Sequence, residues 1–179
     1  IEFENINKGR IANNLVLIEE NRVPIVRTTS KYNIPAQNFL DIHKNIIKLM
    51  NQNIIDNNLT NIPFQDFGCD SKASCDYPVF GHAAAKAVAD GTCEKGIVIC
   101  TTGIGISISA NKVKGIRCAL CSEPLSAKMT RLHNDANMLA MGAGIVGENL
   151  ALEIVETFLN TPFSGEERHS RRISLIEEI

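Results

Sequence analysis

The sequence predicts an α/β fold: a doubly wound, mostly parallel sheet with helices on both faces. Three observations carry this. Strand-like and helix-like segments alternate along the second part of the chain, as they do where right-handed crossovers join parallel strands. The clearest strand, Gly96-Ile-Val-Ile-Cys100, is a continuous apolar run, the pattern of a strand buried on both faces. The intervening segments are Ala-rich or amphipathic and start or end on turn residues.

The elements follow in order. Residues 1–21 carry no pattern that places them. Residues 23–29 read as a strand, and Pro24 suits an edge better than a centre. Residues 39–55 have helical spacing, with Phe39, Ile42, Ile46, Leu49 and Met50 on one side. Residues 59–67 read as a second short strand. Tyr77-Pro78 leads into an Ala-rich helix over 82–89. After the strand at 96–100, Thr101-Thr-Gly-Ile-Gly105 is a small-residue turn and 106–112 a short helix. Residues 116–121 form a further strand. Ser122 caps a helix running to about Leu132, with Glu123 and Pro124 in its first turn. Residues 138–141 are a third strand in this part. Residues 149–159 are amphipathic, with Leu152, Val155 and Leu159 on one face.

Composition bounds the function. The chain has 179 residues, 44% of them hydrophobic, and a net charge of -2. That suffices for one domain with a real core. The charge gives no case for nucleic acid or a membrane surface. No apolar run approaches the roughly 18 residues of a membrane span. The first 20 residues mix charge and Asn, so they do not read as a signal peptide. The six cysteines include one C-x-x-C, Cys118-Ala-Leu-Cys121, at the end of a strand-like run rather than at a helix start. Reduced, mostly structural thiols in a cytoplasmic protein are expected. Composition shifts near residue 62, from Asn-rich to rich in Ala, Gly and Val. Residues 1–62 are therefore taken as an atypical N-terminal segment, and 63–179 as the main α/β domain.

Four groups of residues carry chemistry. Cys100 ends a strand just before a Gly-containing turn and a helix start. Backbone N–H groups there favour an anion and favour thiolate over thiol. The same cysteine also suits a plain buried strand position. Two familiar loops are excluded. A Walker loop would need Lys and Ser or Thr after Gly105, where Ile-Ser-Ile stands. A cysteine phosphatase loop would need arginine at Ile106. His133-Asn134-Asp135 follows a helix near a sheet end and suits acid–base work, or a solvated turn. Arg168 and Arg172 share a helix face at i, i+4 and suit a phosphate, or pair with Glu166 and Glu167. Tyr77 is a pocket wall or simple packing.

Together these pieces resemble the ribose-5-phosphate isomerase B family, which includes galactose-6-phosphate and allose-6-phosphate isomerases. The resemblance rests on Asp66-Phe-Gly68, Asp76-Tyr-Pro78, the run from Gly96 to Lys112, Gly115 to Cys121, Thr130 to Asn137, and Arg168-His169. It covers residues 66–179; residues 1–62 do not match. It implies a Rossmann-like fold, and a homodimer or homotetramer with sites at the subunit interface. It implies aldose–ketose isomerisation of a sugar phosphate, most naturally ribose 5-phosphate to ribulose 5-phosphate, through an enediolate. Cys100 would be the base. Thr102 and the loop Thr101, Gly103, Ile104 and Gly105 would stabilise the enediolate oxygen. His133 would open the sugar ring, Asn134 would hold hydroxyls, Tyr77 would line the pocket, and Arg168 and Arg172 would grip the phosphate. No metal or organic cofactor is implied.

Three departures are visible. Thr101 replaces the family's first loop Gly, Gly144 stands where an arginine is usual, and the Asp-His pair ending the first strand is missing. Asp41 and His43 fall nearest its expected place, but in a helical pattern that turns them apart. The other reading is therefore a catalytically impaired relative that binds a sugar phosphate.

Overall fold

The structure, a computed structural model, describes residues 41–48, 64–68 and 75–178, and the backbone course of 23–27. Five parallel strands form one sheet: β1 (Val23–Arg27), β2 (Phe64–Asp66), β3 (Gly96–Cys100), β4 (Cys118–Leu120) and β5 (Met138–Gly142), in the order β2-β1-β3-β5-β4. The helices are α1 (41–48), α2 (Tyr77–Ala89), α3 (Ile104–Ala110), α4 (Pro124–Asn134), α5 (Glu148–Asn160) and α6 (Glu167–Glu177).

Alternate side chains of β3 and β5 divide between two cores. Ile97, Ile99, Leu139 and Met141 pack with α1, α4 and α5. Val98, Cys100, Met138 and Ala140 pack with α2 and α3. Helices thus cover both faces, which is why β3 and β5 read as unbroken apolar runs. The sheet winds outward in opposite directions from β1 and β3, and the helices after these strands lie on opposite faces. This leaves a crevice at their carboxyl ends, the usual ligand position in such sheets. Cys100 ends β3 beside it.

Several elements differ from their sequence reading. β1 is not an edge strand: it pairs with β2 from Val23 and with β3 from Ile25. Pro24 is level with Gln65 of β2 and lies before the β3 register begins. Of residues 39–55, 41–48 are described and helical, with Ile42 and Ile46 fully buried; residues 1–22, 39–40, 49–55 and 59–63 lie outside the described residues. Helix α3 begins at Ile104 because Gly103 takes a left-handed φ of 77° and starts it. Glu123, not Ser122, caps α4: its carboxylate accepts from Leu125 and Ser126 N–H at 2.6 and 2.7 Å. The α5 face that is fully buried is Ala151, Ile154, Val155 and Phe158, with Leu152 and Leu159 packed at its margins.

Candidate active site in two halves

The first half lies at the carboxyl end of the sheet. Cys100 is 7% exposed, and Gly103 N–H donates to its Sγ at 3.1 Å. The loop is held to the segment after β5: Ala143 N–H donates to the Cys100 carbonyl and Gly144 N–H to the Thr101 carbonyl, both at 2.9 Å. A side chain at Gly103 would be strained by its φ and would place a Cβ 2.8 Å from the Met141 carbonyl carbon. Thr101 is half-buried and Thr102 exposed; the Thr102 Oγ1 accepts weakly from Ile104 N–H at 3.4 Å. Tyr77, the first residue of α2, lays its hydroxyl over Gly105. Tyr77, Thr101, Thr102, Gly103, Ile104 and Gly105 are therefore brought together around Cys100. Gly144, where the family's arginine is usual, sits beside Thr101.

The second half lies at the amino end. His133 and Asn134 are the last residues of α4, not a loop, and Asp135 follows with φ 43°. Two arginines lock this turn. Arg117 donates from Nε to the Asn134 carbonyl at 2.8 Å and from Nη2 to the Asp135 carbonyl at 2.9 Å. Arg131 Nη1 donates to Asp135 Oδ1 at 2.8 Å and to the Ala136 carbonyl at 2.6 Å. His133 is half-buried; Asn134 is exposed and lines a cavity of about 600 Å³ with Lys112, Lys114, Arg117 and Thr130, a cavity that His133 does not line. Arg168 and Arg172 are exposed on α6, and Arg168 Nε pairs with Glu166 Oε2 at 2.8 Å. Arg117 and Arg131 were not among the sequence candidates; the Asp135 they hold was the visible signal.

A single copy of the chain does not join the halves. Helix α4 runs back from the carboxyl end of β4, and the Arg117 beside its last residues precedes β4. Gly96 N–H bonds the Asn137 carbonyl at the start of β3, while Cys100 is level with Gly142 at the end. Four residue steps, about 13 Å at 3.3 Å each, separate those levels before the turn back to His133 is added.

A buried pair was also missed. His43 on α1 faces Asp66 of β2, not Asp41: Nε2 lies 3.3 Å from Oδ2 but is out of line for a hydrogen bond. The two side chains are 6% and 12% exposed, and Asp66 Oδ1 accepts from Gly68 N–H at 2.8 Å. Such a pair reads as internal packing of α1 against β2. Cys100, Cys118 and Cys121 are free thiols. Burial pushes the Cys118 thiol up to about 12 and the Cys121 thiol up to about 11, which suits structural cysteines.

A parallel α/β sheet with this cysteine loop at its switch point is the arrangement expected of the sugar phosphate isomerases that the sequence resembles. The comparisons agree. The family model described as ribose/galactose isomerase matches residues 40–176, reaching further back than residue 66. The ribose-5-phosphate isomerase B of Escherichia coli (strain K12) is 47% identical over 114 residues, 64% of this chain and 76% of that protein. The D-erythrulose-4-phosphate isomerase of Pectobacterium atrosepticum is 44% identical over 89 residues, 50% of this chain and 59% of that protein. The type B ribose 5-phosphate isomerase of Trypanosoma cruzi superposes with a TM-score of 0.76 at 40% identity, covering 88% of this chain and 97% of that one. The chain belongs to the ribose/galactose isomerase family. It is an aldose–ketose isomerase of sugar phosphates, an intramolecular oxidoreductase. No helix among the described residues is long and apolar enough to cross a membrane.

Proposed function

We propose that the chain interconverts ribose 5-phosphate and ribulose 5-phosphate, with Cys100 as the base, in sites shared between two copies. The observation that carries this is Cys100 at the crevice, with Gly103 N–H directed at its sulfur. In the proposed reaction His133 of one copy gives a proton to the ring oxygen as the C1–O4 bond breaks, and the anomeric hydroxyl releases its proton to solvent water, leaving the open-chain aldehyde. Cys100 of the other takes the proton from C2, leaving an enediolate with its charge on O1. The N–H groups of the 101–105 loop and the Thr102 hydroxyl stabilise that charge. The O2 proton passes to O1 and Cys100 returns its proton to C1, giving the ketone at C2. Asn134 holds hydroxyls, Tyr77 walls the pocket, and Arg168 and Arg172 take the phosphate. With glycine at 144, the phosphate rests on those two arginines.

The separation of the halves supports a homodimer as the smallest complete unit. Ile104, Ile108, Leu120, Leu125 and Ile145 are large apolar residues, each 44–62% exposed. Most flank the cysteine loop, where a second copy would cover them.

A coupled assay with ribose 5-phosphate tests the reading directly; no turnover at high enzyme concentration would sink it. Binding measured by calorimetry without turnover would favour the impaired relative instead. The observation behind that reading is His43, buried on Asp66 and so closed to a sugar ring.

Replacing Arg168 or Arg172 with Ala is expected to raise KM for the phosphorylated sugar about ten- to a hundredfold. Each removes a charge-assisted bond of about 1.5–3 kcal/mol. Both lie on an exposed face, so circular dichroism should be unchanged. Unaltered kinetics in both variants would refute the phosphate grip. Asp41→Ala and His43→Ala, by contrast, should each keep kcat/KM within about tenfold. A larger loss in both, with folding intact, would show that the first βα unit supplies a catalytic pair.

A further inference from the structure

Behind the His133 ring lies a second imidazole that the proposed reaction does not use. His169 of α6 is 4% exposed, and its ring stacks on that of His133 with centroids 4.4 Å apart and planes 15° from parallel. Its Nε2 is buried with no hydrogen-bond partner, and Glu166 Oε1, at 3.9 Å, is beyond reach of one. With Nε2 left unpartnered, the ring's faces carry much of its positioning, and here one face is His133.

Helix α6 adds the second half of the argument. Arg168 and Arg172 point to solvent while His169, between them in sequence, is tucked against α4. Ser164 N–H, just before α6, donates to the Leu132 carbonyl at 3.2 Å, and Arg117 ties the far end of α6 through Glu177 at 2.6 Å. The same rigid element thus carries both arginines and the ring behind the acid.

We propose that His169 is a positioning residue for His133: its ring fixes the plane of the ring-opening acid and ties that acid to the helix bearing the phosphate arginines. The inference rests on the isomerase reading. Burial first, then the charges of His133, Arg168 and Arg172, hold the pKa of His169 below that of an exposed imidazole; Glu166 opposes them. An uncharged His169 gives His133 an aromatic face without competing for its proton.

The test separates ring opening from the later proton transfer. Ribose 5-phosphate closes a five-membered ring through its C4 hydroxyl and must be opened. Erythrose 4-phosphate carries its phosphate on that oxygen and is already open-chain. His169→Leu fills the space but removes the aromatic face; His169→Phe restores it. The leucine variant is expected to lose about tenfold or more in kcat on ribose 5-phosphate, a fraction of a general acid's usual ~10²–10⁴-fold. It should keep its rate on erythrose 4-phosphate within about twofold, and the phenylalanine variant should recover most of the loss. Equal losses on both sugars, or no loss on the five-carbon sugar, overturn the proposal. A wild-type protein inactive on both sugars sinks the isomerase reading instead. Should the leucine variant not fold, proton NMR of the wild type decides: His133 ring protons shifted upfield support the stack, and unshifted ones overturn it.

Discussion

Cys100→Ala is expected to lose isomerisation by about 10²–10⁴-fold in kcat, the usual contribution of a positioned base. Binding of ribose 5-phosphate should change by no more than about threefold, because the proposed reaction puts the sulfur at the reacting carbons and not at the phosphate. The variant should fold: Cys100 packs as a small residue between α2, α3 and β5, and alanine fits that space. The Gly103 N–H that now meets the sulfur loses its acceptor, a local change in a loop still held by the Ala143 and Gly144 bonds. Cys100→Ser should fare little better, since a serine hydroxyl ionises far less readily than a thiol. Two measurements check this: kcat in the coupled assay, and incorporation of solvent deuterium into the sugar at C1. Wild-type kcat in Cys100→Ala would show that another group is the base.

Mixing two inactive proteins should restore activity. Cys100→Ala keeps a sound amino-end half, with His133 and the arginines. His133→Ala keeps a sound carboxyl-end half, with the cysteine loop. If each site takes one half from each copy, a mixed dimer has one doubly damaged site and one intact site. Random exchange makes half the dimers mixed, so activity should recover to about a quarter of wild type. The effect is large because each parent starts near zero. It follows from the geometry of the strands, since Cys100 and His133 stand at opposite ends of one sheet. Sites complete within a single chain would give no recovery after subunit exchange, checked by refolding the mixture from denaturant. Sedimentation of the wild type gives an independent reading, as a monomer in solution would remove the partner that the proposed shared site needs.

The parts of the fold that were legible were those written in local pattern. Gly96-Ile-Val-Ile-Cys100 is apolar at every position because both faces of β3 are covered, and all five residues are buried. Asp135 announces a turn, and it takes the left-handed conformation that Asp tolerates. Where several turn residues adjoin, local pattern misplaces the boundary. The pattern before Asp135 places the helix end at about Leu132, yet it runs to Asn134 because Arg131 and Arg117, the latter in the loop before β4, hold the Asn134 carbonyl and the Asp135 carboxylate. Similarly Ser122 and Glu123 are both able to cap, and the longer carboxylate reaches two N–H groups.

The sequence by itself determined the alternating parallel fold, the family, and the identities of the residues around Cys100, because periodicity and contiguous motifs are local properties. Only the tertiary structure decided how those residues are grouped. A strand and the helix that returns from it run in opposite directions, so residues of one motif set, Cys100 and His133, end at opposite ends of the sheet. The same folding brings His43 to Asp66 and His169 to His133, pairs whose meeting depends on how helices pack rather than on any spacing along the chain.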